Sequence, residues 1–531
     1  MVPLSNERIS IPRKENKNIE FKERLTPAVH LKDDKRQHLA AQMRYTLELG
    51  KGEAVYIIGV DDNGKAVGLA DIEFEETLNV LKAVAVENGA RMSKVEKFSE
   101  NGDGKFIGRV IIVRDSKPVK QHIIVASAGH VNAGKSTLIA CLMTGRPDTN
   151  GKSWLYMDTL PHEIEHGLSA DLHFALYGFK AGKPLHFKNP LDKRERAKVV
   201  AEADKLVSFV DTVGHENWQK TTIRGLVGQN IDYGLLVVAA DDGVTHITRE
   251  HLGLLLAMDL PIIICVTKVD RAQEAKMANV ERQIDELLKN VGRVPYAIRK
   301  EEDIAVIVDK MQTVVPVLRT SAATLEGYAL LDSLLGMLPE RKKALDKPFL
   351  MFIDRAYNIT GAGVVVSGTI KQGVLTSDAQ LIIGPDKEGH FSEAKAKSIE
   401  MHYHRLEQAN AGLVVGVALK GVRFEDVERG MILCDASIKP RAVRSFEAEV
   451  LVLNHPTRIA TGYEPVLHTN TVAESVKLTL VNKRYLKAGE SGRVRMTFRY
   501  KPQFLQDGDK LVFREGKTKG IGTITKILAY A

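Results

Sequence analysis

The sequence predicts an α/β P-loop domain with a mostly parallel sheet, followed by two β-barrels and preceded by a small α/β N-terminal domain. Three observations carry this expectation. Gly129-His-Val-Asn-Ala-Gly-Lys-Ser-Thr137 is a GxxxxGK[ST] loop set between an apolar run and a helical pattern. From Gln121 to about Leu338, apolar strand patterns alternate with amphipathic helix patterns, as in a parallel sheet covered by helices on both faces. After Lys347-Pro348 the pattern changes to short strands separated by Gly-rich turns, which predicts barrels.

Composition bounds the rest. A chain of 531 residues with 44% hydrophobic content has room for three or four domains with real cores, which excludes a disordered or fibrous protein. The net charge of +8 is mild for this length and permits an RNA or ribosome partner without requiring one. Cys141, Cys265 and Cys434 lie far apart in apolar patterns without metal-ligand spacing, so buried inert thiols in a reducing compartment are expected. The first residues lack the apolar core of a signal peptide and no apolar run approaches a membrane span. A cytoplasmic protein with no membrane partner is expected.

The expected domains are residues 1–119, 120–346, 347–440 and 441–531. In the first, a helix pattern covers Lys35 to Leu49 and ends at Gly50, Ala54 to Val60 reads as a strand, and Asp61-Asp-Asn-Gly64 reads as a hairpin turn. In the second, strands are expected at His122 to Ala126, Leu206 to Val210, Gly234 to Ala240, Pro261 to Val266 and Val315 to Leu318, with ligands at their carboxyl ends. In the barrels, strands are expected at Leu350 to Asp354, Gly363 to Ile370, Gln380 to Ile383 and Val414 to Leu419, and Cys434 to Arg444, with Pro440, reads as the link between them.

The loop from Gly129 through His130, Val131, Asn132, Ala133 and Gly134 can curl so that its N–H groups converge on phosphate oxygens, at a helix N-terminus whose dipole favours the same charge. Lys135 adds a point charge near the β- and γ-phosphates. The Ser136 hydroxyl, beside Thr137, is the expected Mg²⁺ ligand.

Asp211-Thr-Val-Gly214 closes the second parallel strand. The Asp211 carboxylate can reach the Mg²⁺ shell, and Gly214 lets its N–H approach the γ-phosphate. Thr267-Lys268-Val-Asp270 follows a later strand. Its aspartate suits the N1 and N2 edge of guanine, which adenine does not offer, so the motif selects GTP over ATP. Thr320-Ser321-Ala322 ends the last strand where a backbone N–H can meet the guanine carbonyl.

These ordered motifs, the histidine that follows DxxG and the two barrels resemble the translational GTPases of the elongation factor Tu family, from Gln121 to the C-terminus. Within it the chain looks most like the GTP-binding protein 1 and 2 group, whose members carry an extra N-terminal domain; Asn18-Ile-Glu-Phe-Lys22 and Gly52 to Gly64 resemble that domain. The resemblance implies GTP hydrolysis to GDP with Mg²⁺, and His215 as the catalytic residue that positions the attacking water, gated by Val131 and Leu168. It makes His166-Gly-Leu-Ser169 the first switch, with Ser169 in place of the threonine that ligates Mg²⁺. Where the Tu factor has aspartate, Asn132 resembles the asparagine of potassium-dependent GTPases, and a monovalent cation is expected beside it.

The resemblance also implies tRNA and the ribosome as partners. Lys397-Ser-Ile-Glu400-Met-His402 looks like the family segment that packs on the terminal adenosine, with Glu400 on the base and His402 near the aminoacyl end. Gly412-Leu-Val-Val-Gly416 departs from the family pattern: Val414 stands where an asparagine helps hold the amino group. The turns at Glu428 to Met431, Arg499 to Pro502 and Arg514 to Gly520 offer basic groups to a tRNA stem. Glu20, Lys22 and Glu23 suggest a nuclease-like cluster only weakly, since one carboxylate group lacks an evident partner, and a docking role for the N-terminal domain is the preferred expectation. The expected function is a GTPase acting with tRNA on the ribosome in elongation or ribosome rescue. The alternative is a GTP-dependent adaptor in RNA decay or translational quality control, with protein partners and no aminoacyl-tRNA to deliver.

Overall fold

The computed structural model describes residues 9, 11–12, 15, 18–50, 53–87, 90–99, 104–114, 121–157, 173–212, 227–516 and 518–531. The chain divides into two compact units, residues 1–119 and 120–531.

In the first unit, β1 (Ile19–Lys22), β2 (Glu53–Ile58), β3 (Ala90–Ser99) and β4 (Phe106–Arg114) form one sheet in the order β1-β2-β4-β3. β1 and β2 are parallel and the other pairs antiparallel. The helix Asp33–Leu49 buries Leu39, Met43 and Leu47, spaced one turn apart, in a core with Tyr56, Phe74 and Leu81. The Asp61 turn forms, its Oδ1 accepting from the Asn63 and Lys65 N–H groups, but only one antiparallel bridge, Val60 to Ala66, flanks it. The hairpin stops there because the Val67 and Gly68 N–H groups both fold back onto the Gly59 carbonyl.

The second unit begins with an eight-stranded sheet. Its strands are β5 (Gln121–Gly129), β6 (His173–Lys180), β7 (Lys183–Leu185), β8 (Lys205–Asp211), β9 (Tyr233–Ala239), β10 (Ile262–Thr267), β11 (Val294–Ala297) and β12 (Val314–Arg319), in the order β11-β12-β10-β9-β5-β8-β6-β7. All neighbours from β11 to β8 pair in parallel, whereas β6 and β7 are antiparallel additions. The five expected strands are present as β5, β8, β9, β10 and β12. β8, β9 and β10 are buried along their whole length, as apolar runs in a parallel sheet covered on both faces must be.

Two six-stranded barrels follow. In the first, strands Gln380–Gly384, Ile432–Asp435, Leu350–Ile359, Gly363–Gln372, Val414–Lys420 and Ser392–Met401 are neighbours in that order, and the last pairs back to the first. In the second, Val443–Asn454, Ser491–Phe498, Val472–Leu480, Val466–Thr469, Lys510–Glu515 and Thr518–Tyr530 close on themselves. Alternate burial along Ser491–Phe498, with Gly492, Val494, Met496 and Phe498 inside, is the period-two pattern of a barrel wall. The link between barrels is shorter than expected. Cys434 lies in the last strand of one barrel, Val443 and Arg444 in the first strand of the next, and residues 436–442 connect them.

Buried polar contacts hold the first barrel to the parallel-sheet domain. His122, at the start of β5, places Nδ1 2.8 Å from the Gly412 carbonyl and Nε2 2.8 Å from Ser208 Oγ. A carbonyl can only accept, so Nδ1 carries the hydrogen and the neutral ring accepts from Ser208. Thr369 Oγ1 donates to Gln229 Oε1 at 2.9 Å in a second buried contact.

Burial, reinforced by the nearby Lys343 charge, pushes His122 down to about 3 from 6.5. The unfolded chain therefore binds a proton through this window that the folded chain does not, and stability falls as the pH drops from 6.5 toward 3. This histidine should contribute about 1.4 kcal/mol of loss per pH unit there. Chemical denaturation of His122→Gln between pH 7 and pH 4.5 should give a flatter stability profile than the parent. An unchanged slope would place the acid sensitivity on other groups.

Candidate nucleotide-binding site

The loop after β5 is built from backbone constraints. Gly129 has φ of 145°, and a Cβ there would lie 2.3 Å from the Val237 carbonyl oxygen, so only glycine fits between β5 and β9. The exposed Asn132 takes the left-handed conformation at φ of 58°, and the Ala133 N–H closes the turn onto His130 O at 3.2 Å. Gly134, with φ of 88°, caps the helix Lys135–Thr144. That helix is anchored by buried Leu138, Ile139, Cys141 and Leu142, so its N-terminal turn, with Ser136 and Thr137, opens toward the loop.

Lys135 is buried, and its Nζ donates to the carbonyls of Gly129 at 3.3 Å and His130 at 3.0 Å. The ammonium group therefore spans the loop mouth. Asp211, at the end of β8, is fully buried. Its Oδ1 accepts from Ser127 Oγ at 2.5 Å and its Oδ2 from Ser136 Oγ at 2.6 Å. A hydroxyl and a carboxylate side by side are hard oxygen donors of the kind Mg²⁺ prefers, so the residues present fit the ion.

The other end of the site is tied to the same loop. Thr267 Oγ1 donates to Ala133 O at 2.6 Å, which couples the end of β10 to the phosphate loop. Lys268 is left-handed at φ of 59°, and its Nζ lies 3.5 Å from Asp241. Ser321, fully buried at the end of β12, donates its hydroxyl to Asp270 Oδ1 at 2.6 Å, and the neighbouring Ala322 carbonyl accepts from the Asp148 N–H at 2.8 Å. A carboxylate oriented in this way presents acceptors for two adjacent N–H groups of a base. The structure thus brings together residues 129–137, Asp211, Thr267, Lys268, Asp270, Ser321 and Ala322 at the carboxyl ends of the parallel strands. Leu168, Ser169, Gly214 and His215 lie outside the described residues.

Two supporting residues escaped the motifs. The Gly129 N–H donates to His251 Nδ1 at 2.9 Å, so that nitrogen is unprotonated. Burial first, and then the positive charge of Lys135, pushes His251 down to about 3. Ser127 holds Asp211, while its carbonyl accepts from Thr212 Oγ1 at 2.6 Å. A lone serine within the apolar run of β5 was the only signal for it; His251 sits on a helix with no motif around it.

In the first barrel, Glu400 is exposed near the end of its strand, in register with Gly416 and Arg405. His402 instead occupies a two-residue turn with Tyr403, at φ of 45° and 67°. Its ring faces the helix Lys193–Glu202, where burial and then the Arg196 guanidinium hold it down to about 4. Val414 pairs with Thr369 within the barrel wall. The three cysteines are buried and free, their thiols pushed up to about 11 for Cys141 and about 12 for Cys265 and Cys434, mainly by burial. Among the described residues no helix is long and apolar enough to cross a membrane.

Comparison with known proteins covers most of the chain. Residues 120–340 match the Elongation factor Tu GTP binding domain, 363–434 Elongation factor Tu domain 2, and 439–528 the Elongation factor Tu C-terminal domain. GTP-binding protein 2 of Homo sapiens is 32% identical over 98% of this chain and 88% of its own length. GTP-binding protein 1 of Xenopus laevis is 31% identical over 92% of this chain and 76% of its own length. Elongation factor 1-alpha of Methanopyrus kandleri is 31% identical over 71% of this chain and 89% of its own length. Two solved structures share the fold. A bacterial selenocysteine-specific elongation factor, EF-Sec, has a TM-score of 0.56 at 22% identity, covering 76% of this chain and 58% of that one. Elongation factor SelB of Methanococcus maripaludis, in complex with the GTP analogue GppNHp, has a TM-score of 0.55 at 20% identity, covering 77% of this chain and 80% of that one. With its parallel-sheet domain, its two barrels and its motifs in the family's order, the chain belongs to the elongation factor Tu family of GTP-binding proteins, and its similarity to GTP-binding proteins 1 and 2 extends into the N-terminal unit.

Proposed function

We propose that this protein is a GTP-hydrolysing translation factor that acts with tRNA on the ribosome, in elongation or in rescue of stalled ribosomes. The observation that carries the GTP-binding part of the reading is the pairing of Ser136 with Asp211 at one end of the site and of Ser321 with Asp270 at the other, joined through Thr267 and Ala133, and the tRNA and ribosome part is supported by the similarity to elongation factors. The first pair suits Mg²⁺ and phosphate, the second suits guanine. Bound Mg²⁺ would neutralise charge on the β- and γ-phosphates. Ser136, Ser169 and Asp211 are the residues assigned to hold it, Lys135 and the loop N–H groups take the phosphates, and Gly214 senses the third. His215 would orient the attacking water, and Asn132 would be the residue to hold a monovalent cation. A cytoplasmic location follows from the partners.

A second reading is an adaptor in RNA decay or quality control that engages proteins and leaves aminoacyl-tRNA alone. It is favoured by Val414, which has no polar group for the amino end, and by the similarity to GTP-binding protein 2, which extends into the N-terminal unit.

The two readings part on one assay. With a non-hydrolysable GTP analogue bound, the delivery reading expects protection of aminoacyl-tRNA from deacylation and weaker binding of uncharged tRNA; equal affinity for both would leave the adaptor. His215→Ala should keep nucleotide affinity within twofold and reduce ribosome-stimulated hydrolysis by about 10²-fold or more, read by phosphate release. Undiminished turnover would assign the water to another residue. Asp270→Asn should weaken GTP by about 10²-fold and favour xanthosine triphosphate, whose 2-oxo group can accept from the new amide. Competition binding reports this directly, and retained GTP preference would remove Asp270 from base selection.

A further inference from the structure

One face of the sheet in the first unit carries a polar cluster. Glu20 on β1 stands in register opposite Tyr56 on the parallel β2, so the two side chains leave the same face of the sheet side by side. The helix Asp33–Leu49 packs on that face and contributes Gln42 and Thr46, one turn apart. Gln42 Nε2 donates to Glu20 Oε2 at 2.7 Å, and Thr46 Oγ1 donates to Glu20 Oε1 at 3.1 Å. Two residues along β1, Lys22 holds its Nζ 3.7 Å from Oε2 of the same carboxylate.

A second carboxylate completes the cluster. Glu15 Oε1 accepts the Phe21 N–H at 2.8 Å, which brings the exposed Glu15 back beside β1 and within hydrogen-bonding reach of Glu20. Burial, and then the charge of Glu15, hold the Glu20 carboxyl above its usual range, while Lys22 acts in the opposite direction. Two carboxylates so placed repel each other, and the Lys22 ammonium answers one of the two charges.

Tyr56 gives an independent sign of a ligand. It is fully buried, and its hydroxyl has no hydrogen-bond partner among the described residues; Thr46 lies beside it without hydrogen-bond geometry. The charges of Glu20 and Glu15 both act on the phenol, so its hydroxyl end is turned toward the carboxylates. A buried hydroxyl left unpaired is destabilising, and a group that reaches it from the carboxylates would remove that cost.

We propose that Glu15 and Glu20 hold a divalent cation, Mg²⁺ or Mn²⁺, whose bound water meets the Tyr56 hydroxyl. A carboxylate offers about four lone-pair positions, so both groups keep capacity for an ion alongside the hydrogen bonds they already accept. The donors are hard oxygens, with no imidazole or thiolate among them, which suits Mg²⁺ or Mn²⁺ rather than zinc or copper. Two carboxylates with water in the remaining positions is the pattern of Mg²⁺, whereas Ca²⁺ draws on a larger set of oxygens. A proton shared between Glu15 and Glu20 would also relieve their repulsion, but it would leave the Tyr56 hydroxyl unpaired. This ion is distinct from the one assigned to Ser136 and Asp211, because its residues all belong to the first unit.

The test counts bound Mn²⁺ by electron paramagnetic resonance in titrations of the full chain loaded with GDP. The parent protein should bind one ion more than Glu20→Gln, and excess Mg²⁺ should displace it. Glu15→Gln, which keeps an oxygen for the Phe21 N–H, should weaken that ion about tenfold or more. Tyr56→Phe should retain it with about fivefold lower affinity, the worth of one hydrogen bond. Lys22→Gln removes a like charge and should tighten it. An equal count in the parent and in both glutamine variants overturns the inference and leaves a shared proton as the relief of the pair. Loss of the ion in Lys22→Gln but not in Glu15→Gln also overturns it, since the cluster would then be an anion site. One ion fewer in every protein, with the difference between parent and Glu20→Gln kept, supports this site and faults the assignment at Ser136 and Asp211.

Discussion

A carboxylate removed from water must have hydrogen-bond partners, and the architecture around Asp211 follows from that requirement. Asp211 is fully buried at the end of β8, and its two oxygens are met by hydroxyls from β5 and from the first turn of the following helix. Ser127, Asp211 and Ser136 therefore fix the spacing of two adjacent parallel strands and the start of the helix at once. On the other side of β5, Gly129 presses against the Val237 carbonyl of β9, where no side chain fits. The phosphate loop is held between these contacts, and its far end is held by Thr267.

Neutral imidazoles lie at or beside the junctions of the nucleotide-binding domain with the barrels. His122 donates to the first barrel, His402 faces a helix of the nucleotide-binding domain, and His251 accepts from the phosphate loop on a helix whose Glu250 pairs with Lys519 of the second barrel at 2.7 Å. Burial pushes all three histidines below the physiological range, to about 3 or 4. Their hydrogen-bonding roles are therefore constant near neutral pH and change in acid. The two barrels are joined to each other by charged and aromatic contacts, with Lys501 shared between Glu428 at 2.7 Å and Glu474 at 3.3 Å, and Phe352 against Phe504.

Much of the fold was legible because its signals are local. A phosphate loop needs glycine at set positions, a strand covered on both faces needs an unbroken apolar run, and a barrel wall needs alternation; each is a demand on neighbouring residues. The strands β6, β7 and β11 were missed for the same reason. β7 and β11 are the two edges of the sheet and β6 lies between β8 and β7; β11, with its proline and exposed Val294, has the mixed exposure of an edge. Among site residues, Lys135, Ser136, Asp211 and Asp270 were marked by their motifs, whereas Ser127 and His251 act on partners 84 and 122 residues away.

By itself the sequence determined the fold class, the order of domains and the identity of the nucleotide-site motifs, because those depend on contacts within a strand, a turn or a helix. Only the tertiary structure decided which hydroxyls satisfy Asp211, which histidine receives the Gly129 N–H, and that His402 turns toward Arg196 while Glu400 faces solvent. Those choices depend on burial and on distances between segments far apart in the chain, and neither quantity exists until the domains have packed.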